Sequence, residues 1–110
     1  MLEITTGMEN NIGIISPSGR LDAVSSTLLD AAFERLIGDG VRIIVLDAGR
    51  LHYTSSSGLR VILSAQKRLK QAGGELRIAA LSPEIEAVLA MTGFASVFTI
   101  RESVSEALAG

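Results

Sequence analysis

The chain has 110 residues, 47% hydrophobic and 20% charged, which suits one globular domain with a single core and excludes a disordered or fibrous chain. Its 10 Lys and Arg against 12 Asp and Glu give a net charge of −2, not the basic excess of a nucleic-acid binder that tracks phosphates. The lack of cysteine and the single histidine exclude disulfides, thiolate zinc, thiol nucleophiles and multi-histidine metal sites. No apolar run approaches a membrane span, and no basic-then-apolar leader opens the chain. The expectation is a soluble cytoplasmic domain over residues 1–110, with no cofactor, metal, membrane or nucleic acid.

In chain order, Leu2-Glu3-Ile4-Thr5-Thr6 alternates apolar and polar residues, as a half-buried strand does. Glu9 to Gly13 is turn chemistry, and Ile12 to Ser16 returns as a second strand, so a hairpin opens the chain. Pro17 cannot donate a ladder hydrogen bond, which places it at an edge or a strand end. Leu28, Leu29, Ala32, Phe33, Leu36 and Ile37 recur at helical spacing until Gly38-Asp39-Gly40. Val41 to Leu46 is short, β-branched and apolar, which predicts a central strand covered on both faces. A helix follows from about Ser57 to Ala72, with Leu59, Ile62, Leu63 and Leu69 inward and Arg60, Lys67, Arg68 and Lys70 mostly outward. Gly73-Gly74 ends it, and Leu76 to Leu81 is the next strand.

Ser82-Pro83-Glu84 is a helix start: a hydroxyl cap, a proline at the first position and an acid against the dipole. That helix runs to about Thr92 and breaks at Gly93. Val97 to Ile100 reads as a last strand, and Ser103-Val104-Ser105-Glu106 has capping-box spacing before a terminal helix. The order β-β-α-β-α-β-α-β-α predicts an α/β fold, a mixed sheet with helices packed against it. Right-handed crossovers gather the strand-to-helix loops at one end of the sheet, where function is expected.

At that end lies Leu51-His52-Tyr53-Thr54-Ser55-Ser56-Ser57-Gly58-Leu59. One hydroxyl caps a helix; four in a row exceed that need, and a helix N-terminus also suits a phosphate, bound or attached. A serine hydrolase is disfavoured, because G-x-S-x-G is absent and His52 precedes the serines in the same loop. Asp47 reads as a turn cap rather than a phosphoacceptor, since no paired acids follow the first strand to hold magnesium. No nucleotide-binding glycine motif occurs. These residues therefore give only weak support to an enzyme. Tyr53, the only tyrosine, suits either packing under the helix or a contact hot spot; Phe94 suits the core.

The stretch V-R-I-I-V-L-D-A-G-R-L-H-Y-T-S-S-S-G-L-R-V-I-L resembles the signature segment of STAS domains, specifically the bacterial anti-sigma factor antagonists. Gly19-Arg20-Leu21-Asp22 matches the family's G-x-L-D, and Gly73-Gly74-Glu75-Leu76 resembles its G-G-x-L step. Ser82-Pro83 with Met91-Thr92-Gly93-Phe94 resembles its later S-P and glycine stretch, so the similarity covers nearly the whole chain.

The resemblance implies a STAS-like fold and a binding switch. Such an antagonist binds an ATP-dependent anti-sigma serine kinase and so frees a sigma factor. The kinase phosphorylates the first serine of S-S-G-L, here Ser56, and a serine phosphatase resets it. It also implies a partner surface of Asp22, Tyr53, Thr54, Ser55, Ser57, Gly58 and Arg60. The chain departs from the family pattern at Ser55, where the family carries an acid, and at Arg60, where a small residue is usual. Alternatives are a STAS scaffold or transporter-associated subunit without phosphate turnover, and a small-ligand or nucleotide-binding STAS domain.

Overall fold

Asn10 and Asn11 both adopt positive φ, at 52° and 66°, and form the two-residue turn that joins β1 (Leu2–Glu9) to β2 (Ile12–Leu21). Asparagine tolerates this conformation, and such a turn matches the twist of paired strands. The computed structural model describes residues 2–110 and continues through α1 (Ser26–Gly38), β3 (Ile43–Asp47), β4 (Arg50–Thr54) and α2 (Ser56–Gln71). Then come β5 (Glu75–Ala79), α3 (Pro83–Thr92), a 3₁₀ turn over Phe94–Ser96, β6 (Thr99–Arg101) and α4 (Val104–Ala109). The sheet runs β1-β2-β3-β5-β6, with only β1 antiparallel to its neighbour and β4 paired to β2.

Two expectations need correction. The segment before α2 is not all loop, because Arg50–Thr54 forms β4. Pro17 lies at neither an edge nor an end: it is buried inside β2, paired with Ile4. The reason is a change of partner. Residues Ile12 to Ile15 pair with β3, and residues Ser18 to Leu21 pair with β4, so Pro17 falls in the gap. Counting from the hairpin, Pro17 and Ile4 form a pair that exchanges no hydrogen bonds, so the Pro17 nitrogen faces that gap and needs no N–H.

Helices α1, α2 and α3 cover one face of the sheet. Leu29, Phe33, Ile62, Leu69, Ile85 and Leu89 pack there against Ile15, Ile44, Leu46, Leu76 and Ile78. On the other face Ala107 of α4 packs against Val45 and Ala79. The β3 prediction therefore holds: the strand lies between β2 and β5 with both faces covered. Amides of Ile44 to Leu46 should exchange near the global unfolding rate, as central strands do. Exchange there as fast as at the chain ends contradicts this topology.

The helix starts also follow the sequence. The Ser82 hydroxyl accepts from Ile85 N at 3.3 Å, and the Ser103 hydroxyl accepts from Glu106 N at 3.1 Å. The return arm of the second cap reaches one residue further back than a capping box requires, with Glu102 N donating to Glu106 Oε2 at 3.2 Å. Ser82 does a second task, donating to the Leu51 carbonyl and so fastening α3 onto β4.

Candidate functional site

The site is assembled where β2 and β4 end together. Asp47 closes β3 with a turn in which Gly49 N donates to Asp47 Oδ1 at 3.1 Å, so its role is the turn cap. The chain resumes as β4 along β2, with a register shift that pairs Gly19 with Leu51 and Arg20 with Tyr53 and leaves His52 as an extra residue. This bulge lets both Leu51 and Thr54 point into the core, three residues apart. Tyr53 consequently projects from the opposite face. It is 39% exposed, and the Arg20 guanidinium lies 4.0 Å from its ring centroid. Packing under α2, one of its two expected roles, is therefore excluded for Tyr53. The cation–π contact is worth roughly 0.5–1 kcal/mol at such an exposed place.

Ser55 is the N-cap of α2: its backbone is extended, and its hydroxyl accepts from Gly58 N at 3.2 Å. Ser55 N also donates to the Leu21 carbonyl at 2.8 Å, which ties the start of α2 to the end of β2. An aspartate at this position would cap equally well, so serine here keeps the local geometry. Ser56, the first helical residue, is exposed. Ser57 is half-buried and lines a shallow groove with Ser26, Asp30, Arg60, Val61 and Ser64. Thr54 and Gly58 lie below the surface, so they shape the site from beneath and present no side chain to a partner.

Asp22 organises the neighbouring turn into α1. Its Oδ1 accepts from Ser25 N at 2.8 Å, from the Ser25 hydroxyl at 2.9 Å and from Val24 N at 3.1 Å. The Ser25 amide, first among these donors, holds the Asp22 carboxyl below its ordinary value of 3.8. A lowered carboxyl pKa favours the folded chain at and above the ordinary carboxylate range. That contribution is lost as pH falls below 3.8 through the folded value. Urea unfolding of Asp22→Asn should therefore depend less on pH than the parent between neutrality and the acid limb. Identical pH profiles would count against an ionised turn.

Sequence reasoning passed over two residues beside this turn. Val24 is 82% exposed and Leu28 is 54% exposed, although Leu28 belongs to the helical pattern counted as core. The signal available was their spacing of four, offset from the buried stripe of Leu29, Phe33 and Leu36. His52, once weighed as a base, sits with Nδ1 3.6 Å from Glu84 Oε2 in an exposed pair. Among the described residues no cluster of histidine and acids could hold a metal ion, and no helix is long and apolar enough to cross a membrane.

The STAS domain pattern matches residues 3–107. BtrV of Bordetella bronchiseptica, a candidate anti-sigma factor antagonist, is 34% identical over 98% of this chain and 93% of its own length. A crystal structure of a candidate anti-sigma factor antagonist from Thermotoga maritima superposes with a TM-score of 0.90, at 21% identity, over 96% of this chain and 92% of that one. The Bacillus cell fate determinant SpoIIAA, in its phosphorylated form, superposes with a TM-score of 0.75, at 21% identity, over 97% of both chains. Those two likenesses bear on the fold alone: a mixed sheet with helices packed against it. With the pattern spanning nearly every residue and a relative above 30% identity along the whole length, this chain belongs to the STAS domain family.

Proposed function

We propose that the chain is an anti-sigma factor antagonist, a single-domain cytoplasmic binding module that sequesters an ATP-binding anti-sigma serine kinase and so frees a sigma factor. The observation that carries this reading is the division of labour among the hydroxyls. Ser55 is spent on the cap, while Ser56 stands exposed at the first position of α2, available to a kinase. The relationship to BtrV supports the same role. The partner surface comprises Asp22 with its turn, Ser55, Ser56 and Ser57, and the exposed side of α2 from Arg60, with Val24 and Leu28 adding apolar area at the edge. Tyr53 borders it from the reverse face of the sheet, and a serine phosphatase returns the chain to its binding form.

The replacement of the family's acid by Ser55 leaves the capped geometry of α2 intact, and this favours the phosphorylated reading over a scaffold that never turns over phosphate. Incubating the chain with an anti-sigma serine kinase and ATP should add one phosphate, located on Ser56 by mass spectrometry. Ser56→Ala should take up none. A phosphate on Ser55 or Ser57 instead would overturn the assignment.

A further inference from the structure

We propose that Arg60 holds the phosphate of phosphorylated Ser56 on its own helix, as an ion pair that lowers the pH at which the phosphate takes up its proton. The proposal rests on the reading of Ser56 as the phosphoacceptor. It stands on three observations. First, Ser56 and Arg60 are four residues apart within α2, which is helical from Ser56 to Gln71. Residues at this spacing share a face, with Cβ atoms about 5–6 Å apart, well within the reach of an arginine. Second, both side chains are exposed, so neither a burial cost nor a packed neighbour opposes their meeting. Third, Arg60 has no ion-pair or hydrogen-bond partner among the described residues, while Arg68 on the same helix is paired with Asp30 and Arg20 lies over the Tyr53 ring.

The competing acids are already committed. Asp30, which lines the groove beside Arg60, has its Oδ1 3.1 Å from the Arg68 guanidinium. Asp22, next to the start of α2, is held by the Ser25 and Val24 amides. Both acids raise the phosphate's affinity for a proton, and Arg60 is the nearest cation on the helix to oppose them. The other charged groups at this end are Arg20, which stacks on Tyr53, and His52, which faces Glu84. A guanidinium offers a phosphate two parallel N–H donors, which an ammonium does not.

The test uses the full chain with phosphoserine encoded at position 56, which needs no kinase, so a failure here is separate from a failure of the phosphoacceptor reading. A ³¹P NMR titration would follow the phosphate from about pH 5 to about pH 8, around its usual second pKa of about 6. Arg60→Gln should raise the midpoint by roughly 0.3 pH unit, the size expected of a helical pair at this spacing. Arg60→Lys should restore most of the lower midpoint, because charge is the larger part of the effect. Added salt should shrink the difference between Arg60 and Arg60→Gln. Equal midpoints for the parent and Arg60→Gln would overturn the proposal, and so would a midpoint for Arg60→Lys equal to that of Arg60→Gln.

Discussion

Gly58→Ala should destabilise the chain by about 1–3 kcal/mol, the usual cost of overpacking a filled site. At an exposed helical position the same change would stabilise by about 1 kcal/mol, because alanine is the better helix former. Contact decides the sign here. A Cβ on Gly58 would lie 2.5 Å from Thr54 Oγ1 and 2.6 Å from both Cγ and Cδ2 of Leu21, closer than real Cβ atoms approach anything. Neither neighbour can yield easily, since Leu21 is fully buried and Thr54 nearly so. To make room, α2 must lift away from the end of β2, straining the bond from Ser55 N to the Leu21 carbonyl that positions Ser56. Urea denaturation with the slope monitored would measure the loss. A variant as stable as the parent would contradict the close approach of α2 to β2.

The same contact shows what a sequence conceals. The hairpin, the stripes of α1 and α2, and the serine caps of α3 and α4 depend on residues close together in the chain, and these were legible. Strand β4 was not. Its two inward residues, Leu51 and Thr54, are three apart because His52 is bulged, and this erases the alternation by which strands are recognised. Pro17 misled for a related reason. A proline in a strand implies an absent partner on one side, and the absence here is a gap between β3 and β4 rather than an outer edge.

At the site, motif resemblance singled out Ser56, Ser57 and Arg60, and the structure has Ser56 and Arg60 exposed and Ser57 half-buried on α2, which begins at Ser56 rather than at Ser57. It could not reveal that Gly58 is required by Leu21, thirty-seven positions earlier, because only the folded chain brings α2 onto β2. Nor could it tell that Tyr53 faces away from α2, which follows from the bulge.

Phosphorylation of Ser56 should weaken the complex with the anti-sigma kinase about a hundredfold, equivalent to about 2.7 kcal/mol. A phosphoserine adds roughly 1.5 to 2 negative charges at neutral pH. The free chain tolerates that charge, because Ser56 is exposed at the positive end of the α2 dipole and nothing there needs to be dislodged. The cost therefore falls on the complex, where the phosphate and its hydration shell must be accommodated against a packed surface. Far-UV circular dichroism of the two forms should coincide, separating a loss of binding from a loss of fold.

The most direct measurement is calorimetric titration of the anti-sigma serine kinase with unmodified and Ser56-phosphorylated chain, side by side at one salt concentration. The partner-switch account predicts tight binding of the unmodified form and a dissociation constant about a hundredfold larger for the phosphorylated form. Equal dissociation constants for the two folded forms would contradict it.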